Sequence, residues 1–254
     1  MSIVRILSTI LFCGISMISF AQNKQIERGN KLYQQRKYAA AIPHFETGLA
    51  QKHSLSTLSK LANCYRLNNK TQKAFELYDQ IVKEERANPR NFYYYAECLQ
   101  TLGRLEEAKQ WYAHYYEQSK DEKGSMMLAS LDKLDDIEPL FKEEVEVLPF
   151  AHNSPFDEFA PVMYDGGIVF TTDRHVGKMP IKVKSKWTNR EYLKLAYSEQ
   201  LGLIEYREPQ PFSGKINKID RNTSNTTFSG DGATLIYCQN DWEANVKYFY
   251  PLQL

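Results

Sequence analysis

Leu61-Ala-Asn-Cys-Tyr-Arg-Leu-Asn-Asn-Lys70-Thr-Gln-Lys-Ala74-Phe-Glu-Leu-Tyr78 decides how the first half of the chain folds. Leu61, Ala62 and Tyr65 recur at helical spacing, Asn68-Asn69-Lys70 interrupts the run, and Ala74, Tyr78 and Ile81 resume it. Two helices joined by so short a turn lie antiparallel, and a small residue must sit where they cross most closely. Ala74 marks that crossing. The pattern stands 33 residues upstream in Gly29, Leu32, Tyr38, Ala41, Phe45 and Gly48. It stands again 34 residues downstream of Ala74, in Tyr95, Ala96, Leu99, Gly103, Ala108, Tyr112 and Tyr115. Turns fall at Gln35-Arg36-Lys37, Asn68-Asn69-Lys70 and Leu102-Gly103-Arg104, and Pro89 suits a helical first turn.

These units resemble the tetratricopeptide repeat, three of them covering about residues 22 to 122. No unit buries its apolar face alone, so the stack needs a cap. Lys123 to Ile137 is expected to supply it through Met126, Met127, Leu128, Leu131, Leu134 and Ile137, with Pro139 ending the helix. The resemblance implies that the leading helices line a concave groove carrying Asn30, Tyr33, Asn63, Arg66, Tyr93, Glu97 and Gln100. Asn30 and Asn63 hold the place where peptide-binding members grip a ligand backbone with an asparagine amide. The lysines of a carboxylate clamp are missing, since Ile26 and Ser59 stand where one is expected.

From Val145 onward the period changes to alternation, with Gly-containing turns and many β-branched and aromatic residues, which signals an all-β segment. Phe159 to Arg174 and Thr227 to Asp241 repeat one plan: a strand, an Asp-Gly turn (Asp165-Gly166; Asp231-Gly232) and a second strand ending in Ile168-Val-Phe170 or Leu235-Ile-Tyr237. This signature resembles the TolB-like and WD-repeat-like β-propeller blades of bacterial envelope proteins. Asn153-Ser-Pro-Phe-Asp-Glu-Phe-Ala-Pro161, Lys186-Trp187-Thr188 with Tyr192 to Leu195, and Pro211-Phe212-Ser213 with Ile216-Asn217 also resemble a Bacteroidetes envelope family. Its members carry an OmpA-like peptidoglycan-binding domain and include a type IX secretion component. The sequence covers one blade, Phe159 to about Phe212, and part of another, with no OmpA-like domain, so peptidoglycan contact does not carry over.

At the N-terminus, Arg5, the apolar run Ile6 to Ile18 and Ser19-Phe20-Ala21 read as a secretory leader cleaved after Ala21. The run is too short to span a bilayer, and no transmembrane segment is expected in the mature chain. The chain has 32 basic and 31 acidic residues, so loss of Arg5 leaves the mature protein balanced, which argues against nucleic acid as a partner. Lys178, Lys182, Lys184, Lys186, Arg190 and Lys194 could form a local basic patch. Cys64, Cys98 and Cys238 show no C-x-x-C spacing, so neither a disulfide framework nor a zinc site is indicated.

No catalytic constellation emerges. Ser130-Leu-Asp-Lys133 fits S-x-x-K but lies in the capping helix without its companion motifs. His44, His53, His114, His152 and His175 are scattered, and Asp157-Glu158 and Glu143, Glu144 and Glu146 suit turn and linker positions. Gly166-Gly167 is a hairpin turn rather than a phosphate loop, and Asn222-Thr-Ser and Asn225-Thr-Thr read as a polar loop before a strand.

The expected fold is thus α + β in separate domains: a leader at 1–21, an α-solenoid of tetratricopeptide repeats with its cap at 22–141, a linker at 142–152 and an incomplete β-propeller at 153–254. The expected protein is a periplasmic, outer-membrane-associated adaptor without enzymatic activity or cofactor, binding envelope or secretion-system proteins through the repeat groove. The alternatives are a truncated member of a longer envelope family, and an exported carbohydrate- or peptide-processing propeller protein.

Overall fold

The computed structural model describes residues 24–50, 54–134, 148–177 and 183–240. The chain divides into a helical unit, Met1–Glu144 with Lys186–Thr188, and a β unit, Val145–Ser185 with Asn189–Leu254. The leader expected at 1–21 lies outside the described residues.

Seven helices stand among the described residues of the helical unit: α1 (24–34), α2 (Tyr38–Leu49), α3 (Leu55–Arg66), α4 (Thr71–Ile81), α5 (Pro89–Thr101), α6 (Leu105–Ser119) and α7 (Glu122–Asp132). The three turns inside the repeats close identically. Lys37 N donates to Leu32 O at 2.9 Å, Lys70 N to Tyr65 O at 3.0 Å and Arg104 N to Leu99 O at 2.9 Å. The residue before each donor is left-handed: Arg36 at φ 57°, Asn69 at 54° and Gly103 at 76°. Each turn therefore caps the carbonyl end of the preceding helix with a six-residue backbone loop. The connections between repeats use side chains instead: Ser54 accepts from Thr57 N, and Asn88 accepts from Arg90 N with Pro89 at the first helical position.

Ala41, Ala74 and Ala108 are fully buried, as are Ala62 and Ala96. Gly29, 33 residues before Ala62, is a still closer approach: a Cβ there would lie 2.7 Å from the Phe45 ring. Between these contacts Phe45, Tyr78, Ile81, Leu99 and Tyr112 fill the core, each contributing about 1.5–3 kcal/mol of apolar burial. The cap differs from expectation. Leu131 is buried and Met127 packs on the core, but Met126 is 68% exposed, because Gly124 makes the close contact with Tyr112, Tyr115 and Tyr116. Pro139 and Ile137 lie outside the described residues.

Lys186-Trp187-Thr188, expected in the first blade, belongs to the helical unit. There the Trp187 carbonyl accepts from Ala39 N at 2.9 Å, its indole N–H donates to Leu67 O at 3.2 Å, and its ring meets Tyr38 edge-on at 4.9 Å.

The β unit has two antiparallel sheets: β1 (Glu158–Tyr164), β2 (Gly167–Thr172), β3 (Lys194–Glu199) and β4 (Gln210–Pro211) in that order, and β5 (Thr223–Phe228) with β6 (Leu235–Gln239). Tyr164 pairs with Gly167 across a two-residue turn in which Asp165 and Gly166 are both left-handed, as a tight hairpin requires. Val169, Leu195, Ile216, Leu235 and Tyr237 form the core, with Tyr164, Tyr197, Phe212 and Phe228 around it. Asn217 extends β3: it accepts from Leu195 N and donates to Leu195 O, both at 2.8 Å. The described strands form no closed propeller.

The expected basic patch is not an open one. Arg190 pairs with Asp157 at 2.8 Å and Asp173 at 3.2 Å, and Lys194 is buried against Glu191 at 2.5 Å; Lys178 and Lys182 lie outside the described residues.

Candidate partner-binding groove

Residues on α1, α3 and α5 interlock side by side. Asn63 Nδ2 donates to the Tyr33 hydroxyl at 2.6 Å, and the Asn63 carbonyl accepts from Arg66 Nε at 3.2 Å and Nη2 at 2.8 Å. Arg66 Nη1 then reaches Glu97 Oε2 at 2.9 Å, while its guanidinium lies 4.1 Å from the centre of the Tyr94 ring. Four of the seven residues read from the sequence, Tyr33, Asn63, Arg66 and Glu97, thus form one hydrogen-bonded chain across three repeats.

The other three are not bonded into it, and Tyr93 packs edge-on against Tyr94 at 5.8 Å. Asn30 Oδ1 accepts from Lys60 Nζ at 2.7 Å, and Gln100 turns to α6, where it accepts from Tyr112 at 2.9 Å. Burial raises the Tyr33 hydroxyl above its ordinary range, and Asn63 opposes that rise. Burial also raises the Glu97 carboxyl, and the Arg66 charge only partly offsets it. Asn63 is therefore committed largely to its own neighbours: its carbonyl is taken by Arg66 and one amide hydrogen by Tyr33.

Beside this chain lies a groove of about 640 Å³. Tyr33, Ser59, Lys60 and Asn63 form one wall; Asn88, Asn91 and Tyr94 form the other, with Arg86 and Arg90. Lys60, Arg86 and Arg90 are cationic, and no carboxylate lines the groove. Arg86 and Arg90 make no ion pair among the described residues. Ser59 lines the groove, but Ile26 turns to α2, where a Cβ on Gly48 would meet its Cγ1 at 2.5 Å.

Sequence reasoning missed Lys60, Arg86, Asn88 and Arg90. The available signal was the Arg86-Ala-Asn-Pro-Arg90 run, where a helix start carries two arginines at the mouth of a leading helix. Among the described residues no group of three His, Cys, Asp or Glu side chains could hold a metal ion, and no helix is long and apolar enough to cross a membrane.

Residues 34–115 match the family model described as anaphase-promoting complex, cyclosome, subunit 3. That stretch lies within the helical repeats. No curated protein matches the chain. Among solved structures, the first tetratricopeptide domain of Spaghetti (RPAP3), bound to an HSP90 peptide, is 22% identical with a TM-score of 0.41, over 45% of this chain and 93% of that one. The Yersinia enterocolitica type III secretion translocator chaperone SycD is 22% identical with a TM-score of 0.42, over 46% of this chain and 88% of that one. The TPR2AB domain of yeast Sti1, in complex with pHSP90, is 20% identical with a TM-score of 0.40, over 47% of this chain and 50% of that one.

Proposed function

We propose that this chain is a non-catalytic adaptor whose repeat groove holds an extended, acidic segment of a partner protein. One observation carries the reading: three cations, Lys60, Arg86 and Arg90, converge on a groove without a lining carboxylate. An acidic segment entering it would be steered by that charge and held at short range by the amides of Asn88 and Asn91. The fixed chain from Tyr33 to Glu97 holds the Tyr33 and Asn63 wall rigid, which lowers the ordering cost of binding. Concave faces of stacked repeats are suited to extended ligands.

The finer reading is an exported adaptor of the cell envelope, associated with the outer membrane or with secretion-system assembly. It rests on the leader pattern at 1–21 and on the resemblance of the module order to envelope proteins. Fractionation with N-terminal sequencing tests it: a periplasmic protein starting at Gln22 is expected, and a cytosolic protein that retains Met1 is the contrary result.

Binding itself is tested by fluorescence anisotropy with labelled peptides that differ only in Asp/Glu against Asn/Gln content. The acidic peptide should bind more tightly, lose affinity with salt, and lose at least about tenfold on Arg86→Glu/Arg90→Glu. Equal affinity for both peptides, or no effect of the double substitution, contradicts the reading.

A further inference from the structure

The two sheets of the β unit follow one plan. Both hairpins carry an irregularity at the same ladder place, between Phe159 and Val162 in one and between Ser224 and Thr227 in the other. Its left-handed residues correspond: Ala160 at φ 52° and Asn225 at 47°. Counted from there along the pairing, Met163 is the equivalent of Phe228, Ile168 of Leu235, Val169 of Ile236 and Phe170 of Tyr237.

The sheets also stack with a definite polarity. Phe228, Leu235 and Tyr237 of the second sheet seat on Val169, Leu195 and Tyr164 of the first, with the Tyr164 and Phe228 rings stacked at 4.0 Å. A seating face of one sheet thus meets a receiving face of the other. In the first sheet the seating residues turn the opposite way. Ile168 lines an apolar depression of about 340 Å³, walled by Phe150, Phe159, Leu203 and Ile204; Phe170, at its base, is already covered by Phe150, while Met163, paired with Ile168, is 63% exposed. The lining carboxylate, Glu158, is paired with Arg174 at 3.4 Å. On the second sheet Ile236, at the receiving place of Val169, is 42% exposed. Each chain therefore presents a seating face on one sheet and, on the other, a receiving side where Ile236 stands beside Thr227; the contiguous apolar face around Met163 and Ile168 marks an interaction surface.

We infer that a second copy of this chain covers the Met163–Ile168 face with the Ile236 side of its β5–β6 sheet. The contact continues between molecules the stacking that joins the two sheets within one. Because its halves differ, the association is head-to-tail.

Sedimentation velocity of the full chain tests this, with Met163→Glu altering one half of the contact and Ile236→Glu the other. Both side chains are exposed, and unchanged circular dichroism verifies each fold. Leu203→Glu, in the loop beside the depression, is a second route to the seating face. The parent should associate with rising concentration and each variant should stay monomeric. An equimolar mixture of Met163→Glu and Ile236→Glu should form a one-to-one dimer, since it retains one intact half of each kind. A parent that is monomeric at every concentration overturns the inference. So does association that either single variant leaves intact, or a mixture in which no dimer forms, as symmetric pairing of like faces would give.

Discussion

Arg66 on α3 donates to Glu97 on α5 at 2.9 Å, joining the leading helices of consecutive repeats at the edge of the groove. The pair is partly buried, with the side chains 23% and 31% exposed, so solvent screens it less than a surface pair. Arg66 is also fixed from behind by the Asn63 carbonyl and the Tyr94 ring. Groove geometry and repeat stacking therefore share the same atoms.

That arrangement has a pH signature. Burial holds the Glu97 carboxyl above the ordinary carboxylate range despite Arg66. A carboxyl whose folded pKa is raised contributes stability that is complete below its unfolded pKa and is lost as pH rises through the folded one. The parent should therefore gain on Glu97→Gln as pH falls from neutral through the carboxylate range. Paired urea melts at several pH values check this; a flat difference, or one of opposite sign, contradicts it.

The helix crossings leave no room. Ala74→Leu or Ala108→Leu inserts three carbons where the native side chain is fully buried, and should cost about 1–3 kcal/mol through overpacking. Chemical unfolding followed by circular dichroism reads the loss, and parent-like midpoints in both variants would show that the crossings lie elsewhere.

Burial pushes the Cys64 and Cys98 thiols up to about 12, whereas Cys238 is half-buried. Thiolate is the reactive form, so both should resist iodoacetamide in the native protein and react fully once it is unfolded. Peptide mass spectrometry should find Cys238 alkylated before either. Equal labelling of Cys64 in native and unfolded protein would contradict its placement in the core.

In the β unit, Asn217→Ala leaves the Leu195 amide without its acceptor inside a fully buried residue, although Leu195 O keeps its bond from Phe212 N. An orphaned buried donor costs about 1–3 kcal/mol. Hydrogen exchange should quicken across β3, and unchanged protection of that strand would show that Asn217 is dispensable.

The helical register was legible because its determinants are local. Ala41, Ala74 and Ala108 are small for a reason that spacing alone reveals, and Asn69 and Gly103 suit the left-handed turn they occupy. Arg36 occupies the same turn without any such sign. The groove was legible in part: the resemblance to tetratricopeptide repeats implied one face for Asn63, Arg66 and Glu97, but their mutual bonds depend on the distance between helices, which no spacing records. The Arg86-to-Arg90 run showed two charges near a helix start but not where Arg86 faces, because it belongs to a turn, where side-chain direction follows backbone angles. Trp187 read as part of a blade because Lys186-Trp187-Thr188 resembles the first blade of an envelope family; its contacts with Tyr38 and Leu67 are long-range.

Hydrogen–deuterium exchange of the full chain with and without the acidic peptide tests the central claim most directly, because it locates the ligand without altering a residue. The account predicts added protection in α1, α3 and the start of α5, with Arg86 to Asn91 among the strongest changes, and little change in α2, α4 and α6. Protection concentrated on α2, α4 and α6 or in the β unit, at a peptide concentration that saturates binding, would contradict it.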